Sequence, residues 1–295
     1  MKIRFWGVRG SIAVPGQSTI RYGGNTTCIE VRTDDNDLIV LDGGTGIFQL
    51  GQHLLKEMPI DAHIFMTHTH WDHIQGLPMF TPIFIPGNKL QIYGAFDPVS
   101  GTGIEKVMDV QLQYSYFPVR EAELKASVEY NTMKPSQTVK VGNAEVTGTL
   151  LNHPVINFGY RVEHNGKSMF FTGDHEPPYN YYQPGDPQYD EFESIIKDKE
   201  REIIAAIRGV DVLVADSSYT ISEYPSKKGY GHGTFDSSIR MAREAGVKTL
   251  ICTHHEPTRN DDELEKVFAE VLSRHPHQQG DPEIILSREG LEYEF

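Results

Sequence analysis

Cysteine is nearly absent: two in 295 residues, Cys28 and Cys252. That excludes a disulfide framework and a cysteine-rich zinc module. Basic charge is also short, with 27 Lys and Arg against 41 Asp and Glu, a formal net charge of −14 with histidine neutral. Such a chain offers no broad surface for tracking phosphates, which argues against non-specific nucleic-acid binding. No run approaches the ~20 apolar residues of a membrane span. The opening MKIRFWGVRGS reads as a strand and a glycine turn, without the apolar stretch of a signal peptide. Internal repeats, low-complexity tracts and Gly/Ser-rich linkers are missing too. The expectation is a soluble cytoplasmic protein, a single domain over residues 1–295 with insertions near 97–134 and 177–199. In excess is histidine, 13 residues, more than folding requires.

Short β-rich runs separated by turns fill the first third: Lys2–Trp6, Thr26–Arg32, Leu38–Leu41 and His63–Met66. One helix interrupts them, Gly46–Glu57, with Ile47, Leu50, Leu54 and Leu55 spaced for one face. Within Asp97–Lys125 a short helix carrying Val107, Leu112 and Tyr114–Phe117 is expected, followed by a second. Strands resume at Thr138–Val141, Ala144–Leu150, Phe158–Glu163 and Ser168–Thr172. Pro177–Asp190 is rich in Tyr, Pro and Gly, and its prolines forbid a regular element. It reads equally as an insertion packing its own rings or as a wall over a cleft. A helix with Phe192, Ile195, Ile196, Ile203 and Ile207 on one face follows. Strand Asp211–Ala215, helix Asp236–Ala245, strand Thr249–Thr253 and helix Asp261–Arg274 complete the pattern. Strand and helix alternate without segregation, which points to sheets covered by helices.

The decisive segment is Thr67-His68-Thr69-His70-Trp71-Asp72-His73, directly after the apolar run Ile64-Phe65-Met66. Neutral imidazole and carboxylate are donors that borderline divalent cations favour. At the end of a strand, His68 and His70 point the same way, while Asp72 and His73 turn toward a second point. These donors cannot complete two sites, so others are required downstream. His153, Asp174 and His254, with His255 beside it, each end an apolar strand-like run. Alone, each is more simply a structural residue; together they extend the cluster. Asp42, also at a strand end, either orients the His68–His73 loop by accepting hydrogen bonds or caps the helix near Gly46. Gly43-Gly44-Thr45-Gly46 lacks the spacing of a dinucleotide fingerprint.

This sequence resembles the metallo-β-lactamase superfamily, within it the phosphodiesterase branch that contains ribonuclease Z and the phosphoribosyl cyclic phosphodiesterases. The His-x-His-x-Asp-His motif is complete, and the later His, Asp and His follow in family order, so the resemblance spans roughly residues 3–255. It implies an α/β four-layer αβ/βα sandwich of two mixed β-sheets flanked by helices, with the metals at one edge. It also implies that His68, His70 and His153 hold one metal, Asp72, His73 and His254 the other, and that Asp174 bridges. His175 and His255 stand beside these ligands as supporting or cleft residues; the remaining five histidines read as surface residues. Two divalent metal ions are thus expected, zinc first, with manganese or iron(II) as alternatives.

The redox branch of the superfamily typically has Glu at the second histidine of the cluster; position 70 is His. Val212–Tyr219, then Gly231-His232-Gly233-Thr234, resembles the ribonuclease Z pattern in which an acidic residue pairs with a histidine. Carried over, His232 protonates the leaving alkoxide and Asp216 holds its imidazolium, a pairing suited to general-acid work. The plainer alternatives are a loop cap at Asp216 and a solvated turn at His232. Gly233 stands where the family often has Ser, so any hydroxyl role falls to Thr234. The expected chemistry is in-line attack on phosphorus by a metal-generated hydroxide, with Asp72 helping to orient the nucleophile. The tRNA-gripping arm of ribonuclease Z relatives, rich in Gly, Pro and basic residues, is not visible. The first expectation is therefore hydrolysis of a small phosphodiester, a cyclic nucleotide or cyclic ribose phosphate. A tRNA or RNA 3′-end nuclease comes second, a lactone, thioester or lactam hydrolase third, and a non-enzymatic metal-bound sensor last. Neither a membrane nor an extended nucleic acid is an expected partner; the resemblance suggests a homodimer.

Overall fold

Runs such as Leu38–Leu41, Val212–Asp216 and Thr249–Thr253 are buried at every position. A strand can be apolar on both faces only when both faces are covered. The computed structural model, which describes Met1–Phe295, meets that requirement with two seven-stranded sheets packed face to face. In the first, β1 (Lys2–Gly7), β2 (Cys28–Arg32), β3 (Leu38–Leu41), β4 (Asp61–Phe65), β5 (Lys89–Ala95) and β6 (Ser127–Met133) lie side by side in chain order. The second runs in order from β7 (Thr138–Val141) through β8 (Ala144–Leu151), β9 (Asn157–His164), β10 (Lys167–Phe171), β11 (Val212–Asp216) and β12 (Thr249–Thr253) to β13 (Glu283–Leu286). Finally β14 (Glu292–Glu294) returns to pair antiparallel with the outer edge of β1.

Phe5, Ile29, Phe65, Tyr160, Phe171 and Val214 meet between the sheets. Outside the first sheet lie α1 (Gly46–Leu54), the one-turn α2 (Trp71–Ile74) and α3 (Ile104–Gln111); the inner faces of α1 and α3 pack on Val40, Ile64 and Ile92. Outside the second lie α4 (Tyr189–Ile207), α6 (Phe235–Ala245) and α7 (Asp261–Arg274), while the one-turn α5 (Tyr224–Lys227) belongs to the connection between β11 and α6. The inner faces of α4, α6 and α7 pack on Leu213, Leu250 and Cys252. This is the expected αβ/βα sandwich of two mixed sheets. No helix is long and apolar enough to cross a membrane. Both cysteines are buried and unpaired, and burial pushes the Cys252 thiol up to about 12.

Several expectations change. Helix α1 stops at Leu54, which leaves Leu55 exposed rather than on the buried face. Ile195 on α4 is exposed while Ile196, Ile203 and Ile207 are buried, because it sits one position off their stripe. Helix α3 stops at Gln111, so Leu112 only caps it and Tyr114–Phe117 lie in the turns beyond, with Tyr114 and Tyr116 exposed; no second α-helix follows, only a single 3₁₀ turn at Glu121–Glu123. The tyrosine-rich passage packs Tyr179 on Tyr181, and Tyr181 and Tyr182 on Phe192 of α4.

β3 to β6 are mutually parallel, as are β10 to β13, and β8 runs in the same direction as β10. Parallel strands bring their carboxyl ends to one edge, and in such sheets that edge is where ligands bind. Asp216 ends such a strand, and Asp42, Thr67–His73, His153, Asp174 and His254 all follow one.

Candidate metal centre

Asp174 is the centre, 1 % exposed, at the turn after β10 where Gly173 has a positive φ of 57°. Its two oxygens face different histidines. Oδ1 lies 3.1 Å from His73 Nε2 and 3.1 Å from His254 Nε2. Oδ2 lies 3.5 Å from His68 Nε2 and 3.9 Å from His153 Nε2. His70 closes the second side: its Nδ1 is 3.0 Å from His68 Nε2 and 3.1 Å from His153 Nε2. Asp72 closes the first, with Oδ2 3.4 Å from both His73 Nε2 and His254 Nε2.

The rear nitrogens fix which ring atom faces inward. His73 Nδ1 donates to Asp42 Oδ2 at 2.7 Å, and His153 Nδ1 donates to the Gly231 carbonyl at 2.9 Å. His68 Nδ1 meets Thr67 Oγ1, whose own proton goes to Asp42, and His254 Nδ1 meets Ser218 Oγ, whose proton goes to Asp216 or the His254 carbonyl. Each hydroxyl therefore accepts from the imidazole. With four Nδ1–H groups turned outward, four Nε2 lone pairs and a carboxylate point at one another. His73 Nε2 and Asp174 Oδ1 have no hydrogen-bond partner although buried. Such a cluster of acceptors without donors fits a cation. His68, His70, His153 and Asp174 form one group able to hold an ion, and Asp72, His73, Asp174 and His254 another.

Asp42 orients rather than caps. It accepts from the Thr67 amide at 2.7 Å and from His73, whereas the first turn of α1 receives no side-chain cap. Burial raises its carboxyl pKa, against the pull of His73.

Asp216 and His232 do meet. His232 Nδ1 donates to Asp216 Oδ2 at 3.0 Å, which leaves Nε2 free. Asp216 also accepts from the His175 amide at 3.1 Å and the Ser218 hydroxyl at 2.7 Å. Burial lowers the His232 pKa, but the carboxylates of Asp216 and Asp174 outweigh it and lift the imidazole to about 9. The His232 ring stacks 4.8 Å from that of His254. Thr234 is spent elsewhere: its hydroxyl caps α6 by accepting from Ser237 N.

His175 and His255 stay outside both donor groups. Each is buried and held low by desolvation, to about 4 and about 3. His255 instead contacts the Ser287 carbonyl at 2.8 Å. Nor are all the other five histidines at the surface, since His164 is 2 % exposed within the second sheet.

Three contributors carried no sequence signal. The Ser11 amide donates to Asp72 Oδ2 at 2.7 Å, from a residue with a positive φ of 60°. Arg9, fully buried, donates to the Gly23 and Arg259 carbonyls at 2.8 Å each and pairs with Asp261 at 3.3 Å, which anchors that loop. Glu176, 2 % exposed, accepts from Tyr224 Oη at 2.7 Å and from the amides of Gly229 and Gly231 at 2.9 Å each. It thereby fixes the loop that carries His232 and supplies the carbonyl behind His153. A Cβ at Gly231 would overlap the His153 ring, and its φ is +91°.

A two-sheet αβ/βα sandwich with this cluster at the carboxyl edge defines a metal-dependent hydrolase of the metallo-β-lactamase fold. Residues 38–255 match the family described as Beta-lactamase superfamily domain, and the chain belongs to that superfamily. Ribonuclease Z of Staphylococcus epidermidis is 23% identical over 301 residues, covering 92% of this chain and 94% of that protein. Ribonuclease Z of Methanopyrus kandleri is 26% identical, covering 86% of each. Among solved structures, the metallo-beta-lactamase fold protein YhfI from Bacillus subtilis aligns with a TM-score of 0.69 at 19% identity, covering 100% of this chain and 98% of that one.

Proposed function

We propose that the protein is a binuclear phosphodiesterase acting on a small phosphodiester, of the size of a cyclic nucleotide or cyclic ribose phosphate. The observation that carries this reading is the Asp216–His232 pair beside the donor cluster, with His232 Nδ1 donating to Asp216 at 3.0 Å. A thioester releases a thiolate that departs without a proton, whereas an alkoxide leaving group requires protonation by an acid such as this carboxylate-held imidazole.

His68, His70 and His153 would hold one ion, Asp72, His73 and His254 the other, with Asp174 shared. Imidazole and carboxylate donors suit zinc, then manganese or iron(II). When bound, the two ions supply Lewis-acid neutralisation of the phosphoryl oxygens and acidify a water molecule. The chain's own residues do the rest. Asp72, held by the Ser11 amide, orients the nucleophile. Asp216 keeps His232 in the tautomer that presents Nε2, and His232 delivers its proton to the departing oxygen. Asp42, Thr67, Ser218 and the Gly231 carbonyl keep the donor rings from turning.

The small-substrate reading is supported by the net charge of −14, which opposes a polyanion over most of the surface. A second reading, RNA 3′-end cleavage, is favoured by the ribonuclease Z relatives, which match nearly the whole chain.

The test is hydrolysis of bis-p-nitrophenyl phosphate by protein loaded with zinc or manganese, alongside His232→Ala. Turnover is expected only with metal. The substitution should cost on the order of 10²-fold or more with an alkyl leaving group and far less with p-nitrophenolate, which departs unprotonated. Inertness with both metals sinks the reading, and equal losses remove His232 as the acid.

A further inference from the structure

An open cleft of about 550 Å³ starts at His153 and Thr69 and runs between the segment after β5 and the β8–β9 connection. Its outer wall is apolar yet exposed: Phe96 is 47 % accessible, Val99 94 %, Val155 38 % and Ile156 37 %. The two charged side chains on the wall, Asp97 and Lys199, are already engaged. Asp97 accepts from the Val99 and Ser100 amides, and Lys199 pairs with Glu202 at 3.5 Å. A larger groove of about 790 Å³ lies between Arg32, His53 and Glu292. It holds none of the donor cluster, and most of its charges are paired with one another, Arg32 with Glu30 and Glu57, Lys2 and Arg4 with Glu292.

In an acyclic diester of that size, two ester arms diverge from the phosphorus. If the departing oxygen is the one that meets His232, which does not line this cleft, the retained arm needs a separate outlet. The cleft reaches a donor histidine, falls within the ~300–1,000 Å³ of small-molecule sites, and offers an aromatic face and branched aliphatic groups, with Asp97, held by backbone amides alone, as its one charge without a counter-charge. We propose that it receives the retained ester arm of the substrate, and that this arm bears a flat apolar ring, an aryl group or a nucleobase. The assignment rests on the phosphodiesterase reading.

Three esters that share p-nitrophenolate as leaving group isolate the retained arm: methyl, phenyl and thymidine 5′-(p-nitrophenyl phosphate). The ring-bearing esters should exceed the methyl ester in kcat/KM by about tenfold or more. Phe96→Ala combined with Ile156→Ala should bring that ratio toward one. Comparable kcat/KM for all three overturns the proposal, and the phenyl and thymidyl arms separate an aryl from a nucleoside source. If none of the esters is hydrolysed, the phosphodiesterase reading fails, and calorimetry on the zinc-loaded protein judges the cleft by itself. Phenyl phosphate or thymidine 5′-monophosphate binding at least about tenfold tighter than methyl phosphate, with the gap lost in the double variant, supports it. Equal binding overturns it.

Discussion

At the residue scale, metal-site geometry depends as much on what stands behind each donor as on the donor itself. Glu176 is the sharpest case, because a single carboxylate collects the Gly229 and Gly231 amides and the Tyr224 hydroxyl. Through that loop it reaches both His153 and His232. Glu176→Ala is expected to lower kcat by about tenfold or more, in line with the losses seen when supporting partners of metal ligands are removed. It should also reduce bound zinc below two per chain, with Glu176→Gln intermediate in both. Metal analysis and steady-state kinetics on the folded fraction check this. A fall in melting temperature with zinc content and kcat intact would leave Glu176 a purely structural residue. Nothing in Gly173-Asp174-His175-Glu176 distinguishes this glutamate in the sequence, because its partners lie about fifty positions away.

At the scale of elements, the second sheet is tied together where β10, β11 and β12 begin. Asp211, just before β11, accepts from the Ser168 amide at 2.8 Å and pairs with Lys248. Partial burial pushes its carboxyl pKa up, but Lys248 and the Ser168 amide prevail and the pKa is lowered. A pKa lower in the folded state gives stability that is present above the unfolded value near 3.9 and lost as pH falls through the folded one. Asp211→Asn should therefore be less stable than the parent at pH 7 by about 1 kcal/mol, with the gap closing near pH 3. Urea midpoints at both pH values measure it; an unchanged gap at pH 3 would show that ionisation plays no part. The strands around Asp211 are legible in sequence because burial on both faces leaves continuous apolar runs. β6 is not, since it is an edge strand of the first sheet, paired only with β5 and mostly half-exposed or exposed. Its polar alternation looks like loop until β5 is placed beside it.

For the whole molecule, charge distinguishes the two functional readings. A protein that grips tRNA by its phosphates releases counterions, and log K falls steeply with log salt, about 0.9 per phosphate contact on a duplex. With a net charge of −14, binding of a precursor tRNA to the zinc-loaded protein should be weak, with a log–log salt slope shallower than about −2. Fluorescence anisotropy across a salt series provides the measurement. A slope of about −4 or steeper would reveal a basic surface and favour the RNA-cleaving reading.

The sequence by itself determined the candidate donors. His68, His70, Asp72 and His73 lie within six positions, and His153, Asp174 and His254 each follow an apolar run, so local pattern sufficed to collect them. It also determined the layers, since amphipathic helices alternating with doubly buried strands have few ways to hide their apolar faces. Tertiary structure alone decided how the donors share their work. Asp174 faces two pairs of histidines with two oxygens only because β10 lies within reach of β4, β8 and β12 across the edge of the sandwich. Asp42 proved to be a buttress and Thr234 a helix cap for the same reason: the partner that fixes a polar side chain's role is chosen by proximity in space. Ser11 acts through its backbone amide, and Arg9 and Glu176 act largely on the backbone of distant loops, partners any residue type can supply, so none of the three leaves a trace in composition or spacing.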